Sequence, residues 1–370
     1  LSGHGVAVEL ATMGAPVRDA QRAQLAAATR RAGAAPVSLH ESRWRLEWMA
    51  DPWDDVARAG DWLLALERAL LPDLVHLNQY AFGALPFRAP TLLVAHSCVL
   101  SWWRAVHREP APPRWDRYRD AVRRGLHGAT DVAAPTRAML AALAHEYRFG
   151  RSGRALPNAR DPRRYAGADI DPARREPVVL AAGRLWDEAK NLAALERVAP
   201  RLAWPIVVAG PLRSPDAEAA GAAGADLDFA AQPRAVRALG ELDADALADR
   251  YARAAIYALP ARYEPFGLSV LEAALSGCPL VLGDIASLRE TWRDAALFVA
   301  PDDDDALAAA LERLIGDATL RAELAQRARR RALRYTPERA ARAYLAAYAR
   351  IAPRAFSTLT RFPEPVACAS

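Results

Sequence analysis

The chain has 370 residues, too many for one ordinary hydrophobic core, so two domains of roughly 100–200 residues each are expected. Its hydrophobic fraction of 52% is largely alanine, and no run of about 18 uncharged apolar residues is present, which sets a membrane-spanning helix aside. The formal net charge of +5 comes from arginines scattered among acids rather than gathered into one stripe, so nucleic acid is not an expected partner.

The opening Leu1-Ser2-Gly3-His4 has neither a basic n-region nor an apolar h-region, so a cytoplasmic location is expected. From residue 4 to 165, short apolar runs alternate with helical stretches: Val6-Ala7-Val8-Glu9-Leu10, Val37-Ser38-Leu39, Leu74-Val75-His76-Leu77, Leu92-Leu93-Val94-Ala95 and Asp131-Val132-Ala133-Ala134. Strands alternating with helices predict a parallel sheet. The polar, proline-containing stretch 160–176 has no clear period and reads as an interdomain linker.

A second series follows, with strands expected at Val178-Val179-Leu180-Ala181, Ile206-Val207-Val208-Ala209, Ala235-Val236-Arg237-Ala238, Ile256-Tyr257-Ala258-Leu259, Leu280-Val281-Leu282 and Ala296-Leu297-Phe298-Val299. The expected architecture is α/β, two doubly wound Rossmann-like domains facing a cleft. The boundaries are 1–165 for the first domain, 166–336 for the second, 337–355 for a helix packing back toward the first, and 356–370 for a loose tail. Residues 305–333 and 337–351 have helical spacing. Three widely spaced cysteines, Cys98, Cys278 and Cys368, match neither a disulfide framework nor a zinc pattern and read as buried small hydrophobes.

Ligands of open parallel sheets bind outside the carboxyl ends of the strands, so the loops after the second set of strands are where chemistry is expected. One is Gly183-Arg184-Leu185-Trp186-Asp187-Glu188-Ala189-Lys190-Asn191, ahead of a helix over 192–202. It offers two cations at a strand end: an arginine forks two hydrogen bonds to phosphate while a lysine supplies a point charge, which suits a diphosphate. Two exposed basic residues in an arginine-rich chain are the plainer reading, but of 49 basic residues Lys190 is the only lysine, and its survival here points to a chemical preference.

The other segment runs from Tyr263-Glu264-Pro265-Phe266-Gly267-Leu268 through Glu272 to Gly277-Cys278-Pro279. Pro265 and Gly267 suit a helix start, and Gly277 with Pro279 suits its end, leaving free N–H groups near residues 266–269 that attract phosphate. Glu264 then sits in the loop and Glu272 inside the helix, each able to accept from sugar hydroxyls. A capped helix with two solvated acids is the alternative.

Together these segments resemble the donor site of the retaining GT-B glycosyltransferases of family 4, also called group 1. Glu264 and Glu272 stand eight apart and fit that family's E-x7-E motif with its E-P-x-G-L core, and the resemblance extends from Gly3 to about Tyr348. It implies that Arg184 and Lys190 neutralise a donor diphosphate, that N–H groups at Phe266, Gly267 and Leu268 cradle its distal phosphate, that Glu272 binds the ribose and that Glu264 holds the transferred sugar. His96, in Val94-Ala95-His96-Ser97, matches the family's histidine that reaches the sugar from the first domain, although by itself it reads as a core histidine. Gly210 resembles the glycine-ended strand beside the nucleotide, Leu242 lies in the loop that meets the base, and Asn158 resembles the hinge signature, with Ala159 where glycine is usual.

The implied activity is retaining transfer of a hexose from a UDP-, GDP- or ADP-sugar to a hydroxyl of a glycan, lipid or small molecule, with no metal and no cofactor. Asp302-Asp303-Asp304-Asp305 and Asp243-Ala244-Asp245 imitate metal-binding acids, but both precede helices, where acids cap and meet the dipole. The Trp102-Trp103-Arg104 to Trp115-Asp116-Arg117-Tyr118 stretch is a candidate for acceptor or peripheral membrane contact, or for internal packing.

Against the family pattern, the first strand and glycine-rich loop are missing, Leu1-Ser2-Gly3-His4 reading as the end of the first helix, and Arg184 stands six residues from Lys190 where five is common. A non-catalytic sugar-nucleotide-binding or scaffolding protein is therefore the rival expectation. A GT-B epimerase or phosphorylase is a further one, though no lysine suits pyridoxal phosphate.

Overall fold

The computed structural model describes residues 1–30, 33–150, 153–169, 175–211 and 236–356. Cys368, the 356–370 tail beyond Phe356, and Ala235 of the expected third strand of the second series lie outside the described residues.

The first lobe starts with a short 3-10 turn, Ser2–His4, where the end of an α-helix was expected; Gly5, left-handed at φ 80°, closes it after three residues. Strand β1 (Val8–Thr12) pairs in parallel with β2 (Val37–Glu41), with helix α1 (Asp19–Thr29) between them. After α2 (Trp53–Leu70), the strands β3 (Val75–Leu77), β4 (Thr91–Val94), β5 (Asp131–Ala134) and β6 (Arg154–Ala155) form a second parallel sheet in that order. Among the described residues β1 and β3 each pair on one side only.

The two sheets are joined through side chains. The buried Glu47 carboxylate, in the segment after β2, accepts the N–H groups of Tyr80 and Ala81 at 2.9 and 2.6 Å, just after β3. Trp44 meets Trp62 of α2 edge to face at 5.2 Å. Helices α3 (Val99–His107), α4 (Asp116–Gly128) and α5 (Arg137–Tyr147) cover the β3–β6 sheet. Its alternation shows in β4, where Leu93 joins the cluster beneath these helices and Leu92 and Val94 face the opposite way.

Among the described residues the second lobe holds one six-stranded parallel sheet in the order β12-β11-β10-β7-β8-β9. Its strands are β7 (Glu176–Ala182), β8 (Ile206–Ala209), β9 (Val236–Ala238), β10 (Ala254–Leu259), β11 (Leu280–Gly283) and β12 (Leu297–Val299). Its helices are α6 (Leu192–Val198), α7 (Ala244–Arg253), α8 (Leu268–Leu275), α9 (Ala286–Trp292), α10 (Asp304–Gly316) and α11 (Ala318–Ala332). Burial on both faces follows the strand period: Leu180 and Ala182 of β7 enter one core cluster, Val179 and Ala181 the other.

Two helices differ from their expected lengths. The predicted helix over 192–202 gives way after Val198 to a 3-10 turn, Ala199–Arg201, because Pro200 offers no N–H to continue the ladder. The helical stretch over 305–333 is two helices, since Asp317 leaves helical geometry and caps α11 by accepting from the N–H of Leu320 at 2.9 Å.

The chain then crosses back. Leu345, Ala347 and Tyr348 of α12 (Pro337–Ile351) and Phe356 of α13 (Pro353–Phe356) pack on Leu92, Val94, Ala133 and Leu156 of the first lobe. The Tyr348 hydroxyl lies 2.7 Å from Nδ1 of His76 on β3.

Candidate functional site

Strand order decides where the site lies. The chain lays β7, β8 and β9 side by side in one direction, then returns to place β10 on the other flank of β7, so the sheet switches direction between β7 and β10. The loops leaving the carboxyl ends of these two strands diverge to opposite faces and open a crevice. They are residues 183–191 and 260–267, the two segments singled out above.

The loops face each other and are stitched together. Asn191, left-handed at φ 57° and buried, donates through Nδ2 to the carbonyls of Pro260 at 2.9 Å and Pro301 at 2.6 Å. The N–H of Arg262 reaches the carbonyl of Ala189 at 2.8 Å. Across this seam Lys190 Nζ meets Glu264 Oε2 at 2.6 Å, both side chains being 14% exposed. Burial pushes the Glu264 carboxyl up, but Lys190 and two backbone N–H groups outweigh it and hold the group below the usual carboxylate range.

Those N–H groups belong to Phe266, at 3.3 Å, and Gly267, at 2.8 Å, and both donate to Glu264 Oε1. This revises the expected phosphate cradle. Glu264 takes up the two N–H groups just ahead of the helix that follows it, Phe266 turns its ring into the core against Tyr335, and the free donors of the first turn begin at Leu268, where α8 starts. Gly267 is left-handed at φ 88° and turns the chain into the helix.

Arg184 is exposed on the opposite loop, its guanidinium over the Trp186 ring and its Nη2 at 2.7 Å from Asp187 Oδ2. Glu272 lies a turn into α8, side chain 12% exposed, with Oε1 at 2.6 Å from Arg160 Nε and Oε2 accepting from the Tyr251 hydroxyl at 3.2 Å. Gly210, at φ 143°, ends β8 so close to the first loop that an added Cβ would lie 1.7 Å from the carbonyl oxygen of Gly183. Its N–H donates to the carbonyl of Gly240 at 2.8 Å, which holds the 239–242 loop beside it. Leu242 there is half-buried and packs its side chain on the core.

From the first lobe, His96 stands exposed at the end of β4 with Nε2 3.0 Å from Asn78 Oδ1, so it is not a core histidine. The segment carrying it docks on the Glu264 loop: the N–H of Cys98 donates to the Tyr263 hydroxyl oxygen at 3.0 Å. Nearby, the Thr136 hydroxyl donates to the carbonyl of Pro265 at 3.0 Å, and Glu290 of α9 accepts the N–H groups of Arg137 and Ala138, each at 2.9 Å. Trp102 of α3 donates through Nε1 to Asp187 Oδ1 at 2.8 Å. The aromatic stretch is thus partly seam packing.

The acid clusters act as caps and ion pairs. Asp243 accepts from the N–H groups of Asp245 and Ala246, and Asp303 from that of Ala306. Asp302 pairs with Arg262 and Arg108, and Asp304 with Arg197. Among the described residues no cluster of three or more His, Cys, Asp or Glu is placed to hold a metal ion, and no helix is long and apolar enough to cross a membrane. Cys98 and Cys278 are both buried and free.

Residues 176–317 match the model of the glycosyl transferases group 1. This lobe is similar to the group 1 glycosyltransferases. Over shorter stretches the chain is similar to glycogen synthase of Mycobacterium tuberculosis, 41% identical over 100 residues that make up 26% of this chain and 24% of that protein. It is 37% identical over 115 residues to D-inositol 3-phosphate glycosyltransferase of Salinispora arenicola, covering 30% and 26% of the two chains. With phosphatidyl-myo-inositol mannosyltransferase of Mycolicibacterium smegmatis it shares 31% identity over 190 residues, 49% of this chain and 47% of that one. The chain therefore spans between a quarter and a half of the length of these relatives.

Structural similarity reaches further. Sucrose-phosphate synthase from Thermosynechococcus elongatus superposes with a TM-score of 0.73 at 19% identity, over 94% of this chain and 99% of that one. An Anabaena protein, Alr3699/HepE, solved in complex with UDP and glucose, gives 0.64 at 17% identity over 96% and 99%. The fold of the chain is GT-B, with the group 1 lobe as its second half.

Sequence reasoning had named Arg184, Lys190, Glu264, Glu272, Gly210 and His96, and the structure gathers the first four and Gly210 around one crevice. It does not single out Asp187, Arg160 or Tyr263, and it offers Trp102 only within an aromatic stretch for acceptor, membrane or packing contact, not as a partner of Asp187. The only local signal for Asp187 is its place as the cap of the short turn carrying Lys190; Arg160 read as linker, and nothing in the sequence pairs it with Glu272.

Proposed function

We propose that the protein is a retaining glycosyltransferase that moves a hexose from a nucleoside-diphosphate sugar to a hydroxyl acceptor, without a metal. The observation that carries this is the Lys190–Glu264 contact at 2.6 Å beside the start of α8, which puts a cation, a carboxylate and free helix N–H donors at the sheet's switch point. In this reading Arg184, Lys190 and the N–H of Leu268 take the charge that develops on the departing diphosphate, the largest single contribution that preorganised donors make to such transfers. Glu264 accepts from hydroxyls of the transferred sugar, Glu272 from the ribose, and His96 approaches the sugar from the first lobe. Gly210 and the loop bearing Leu242 lie along the nucleotide.

The acceptor oxygen attacks the anomeric carbon from the face the diphosphate leaves. The sugar–phosphate bond breaks as the new glycosidic bond forms, and the acceptor proton passes to a diphosphate oxygen. No side chain has to serve as base. The names of the relatives and the neighbour solved with UDP and glucose support an enzyme working on glycan, lipid or small-molecule hydroxyls, and a cytoplasmic location is part of the same reading.

The test is a screen of UDP-, GDP- and ADP-sugars for thermal stabilisation, followed by transfer in the presence of a chelator and assignment of the product's anomeric configuration. A stabilising donor and a product of unchanged configuration are expected. An inverted product removes the retaining assignment, and donor binding with neither transfer nor hydrolysis leaves the binding-only reading in its place.

A further inference from the structure

Asp187 is 3% exposed, yet it belongs neither to the cation pair nor to the E-x7-E segment. Its Oδ2 accepts from Arg184 Nη2 at 2.7 Å. Its Oδ1 accepts from the N–H of Ala189 at 3.1 Å, capping the turn Glu188–Lys190, while its own carbonyl accepts the N–H of Lys190 at 2.8 Å. One carboxylate thus sets the direction of the arginine and the shape of the turn that carries the lysine.

The same Oδ1 accepts a third bond, from Trp102 Nε1 at 2.8 Å, and Trp102 belongs to α3 of the first lobe. The indole is braced by Trp103 and His107, whose rings lie 6.2 and 5.5 Å away. A buried carboxylate needs its donors, because each one lost leaves an acceptor unsatisfied away from water. The Trp102 bond exists only while the lobes are this close, so the order of the cation loop depends on the position of the first lobe. An arginine has five N–H donors, and only Nη2 is spent on Asp187, which leaves the rest of the fork for an anion.

We propose that Asp187 is a positioning residue through which the first lobe, by way of the Trp102 indole, aligns Arg184 and Lys190 on the diphosphate of the donor. This rests on the reading of the crevice as a diphosphate site. It makes the grip on the phosphates respond to lobe approach, while contacts to the nucleoside part do not.

The test compares Trp102→Phe, Asp187→Asn, their combination and Arg184→Ala by calorimetry. The ligands are the nucleoside diphosphate of the stabilising donor and the corresponding nucleoside. Trp102→Phe keeps an aromatic ring at the position and removes the N–H together with part of the indole, and the nucleoside arm of the comparison registers any packing effect of the smaller ring. The affinity that the diphosphate adds over the nucleoside is expected to fall by about tenfold in Trp102→Phe and in Asp187→Asn, the scale of one hydrogen bond to a charged group. Nucleoside affinity is expected to stay as in the wild type, and the combined variant to lose no more than Asp187→Asn alone.

If Arg184→Ala abolishes the diphosphate gain while Trp102→Phe retains it, the coupling is wrong and the site reading survives. If Arg184→Ala also retains it, the reading of the crevice itself fails. Should Asp187→Asn not fold, Trp102→Phe decides the matter alone, and a loss of nucleoside affinity in that variant equal to its loss of diphosphate affinity would mark a structural role only.

Discussion

Lys190 Nζ lies 2.6 Å from Glu264 Oε2, although 74 residues separate the two in sequence. The contact spans the crevice between β7 and β10 and places the chain's single lysine beside the carboxylate that also accepts the N–H of Gly267, just ahead of α8. A cation held this way is preorganised, and so is the acid, since neither has to be collected from solvent when a ligand arrives.

Lys190→Ala and Glu264→Ala are each expected to lower the rate of transfer by about 10²–10³, the effect of removing one preorganised charge-stabilising group, with the circular dichroism spectrum preserved. Because both side chains are largely buried, each single variant leaves its partner uncompensated. Urea unfolding of the double variant should reveal a coupling of about 1–3 kcal/mol. Additive losses would mean the contact contributes nothing, and near-wild-type turnover in either single variant removes the role assigned to it.

The pair also has a pH signature. Burial raises the Glu264 carboxyl, Lys190 and the N–H groups of Phe266 and Gly267 lower it, and the balance falls below the ordinary 4.5. A carboxylate depressed in the folded state contributes stability above its unfolded value, and that contribution is lost as pH falls through the folded one. In Lys190→Ala burial is opposed by the amides alone, so the contribution shrinks. The stability gap between wild type and Lys190→Ala should be widest near neutral pH and should narrow as pH drops below 4.5, read from urea midpoints across that range. A gap independent of pH would contradict it.

Glu272 is held from two sides, by Arg160 and by the Tyr251 hydroxyl. Replacement of Arg160 by Met removes the firmer support, and the affinity for a nucleoside diphosphate should fall by about tenfold or more, the scale of a hydrogen bond to a charged group. The matching dideoxyribose compound, which offers the acid no hydroxyls, should bind wild type and variant alike. Equal losses for both ligands would show that Arg160 serves the fold around the linker and not the orientation of the acid.

Gly210 has no room for a side chain. With φ at 143° and an added Cβ 1.7 Å from the Gly183 carbonyl oxygen, Gly210→Ala must separate the end of β8 from the first loop. Backbone strain at such a position costs about 1–3 kcal/mol before the clash is counted. Calorimetric melting should show a clear loss of stability, together with weakened donor binding. An unchanged melting temperature would show that the loop shifts freely.

Much of the second lobe was readable because its signals are local. Runs such as Ile206-Val207-Val208-Ala209 and Leu280-Val281-Leu282 are strands in the structure because both faces of a parallel sheet are covered. Pro265 and Gly267 mark a loop entering a helix by turn chemistry alone, while the eight-residue spacing of the acids has meaning only through the family resemblance. Both lobes hid some of their boundaries. In the first, the helix end expected at residues 1–4 is a 3-10 turn; in the second, the long helical period over 305–333 hides the break at Asp317, since a cap inside a continuous apolar pattern looks like one more polar position.

The sequence by itself determined the alternation of strands and helices, the two loops that bear charge, and the identity of the charged groups, because residue periodicity and turn chemistry act over a few residues. The tertiary structure alone decided which groups meet. The return of β10 to the flank of β7 brings Lys190 to Glu264, while the approach of the first lobe and of the segment that follows it lays Trp102 against Asp187 and sets Arg160 on Glu272. Such partners depend on the order in which strands line up and on the approach of two lobes, and a hydrogen bond between distant residues leaves no trace in the spacing of either.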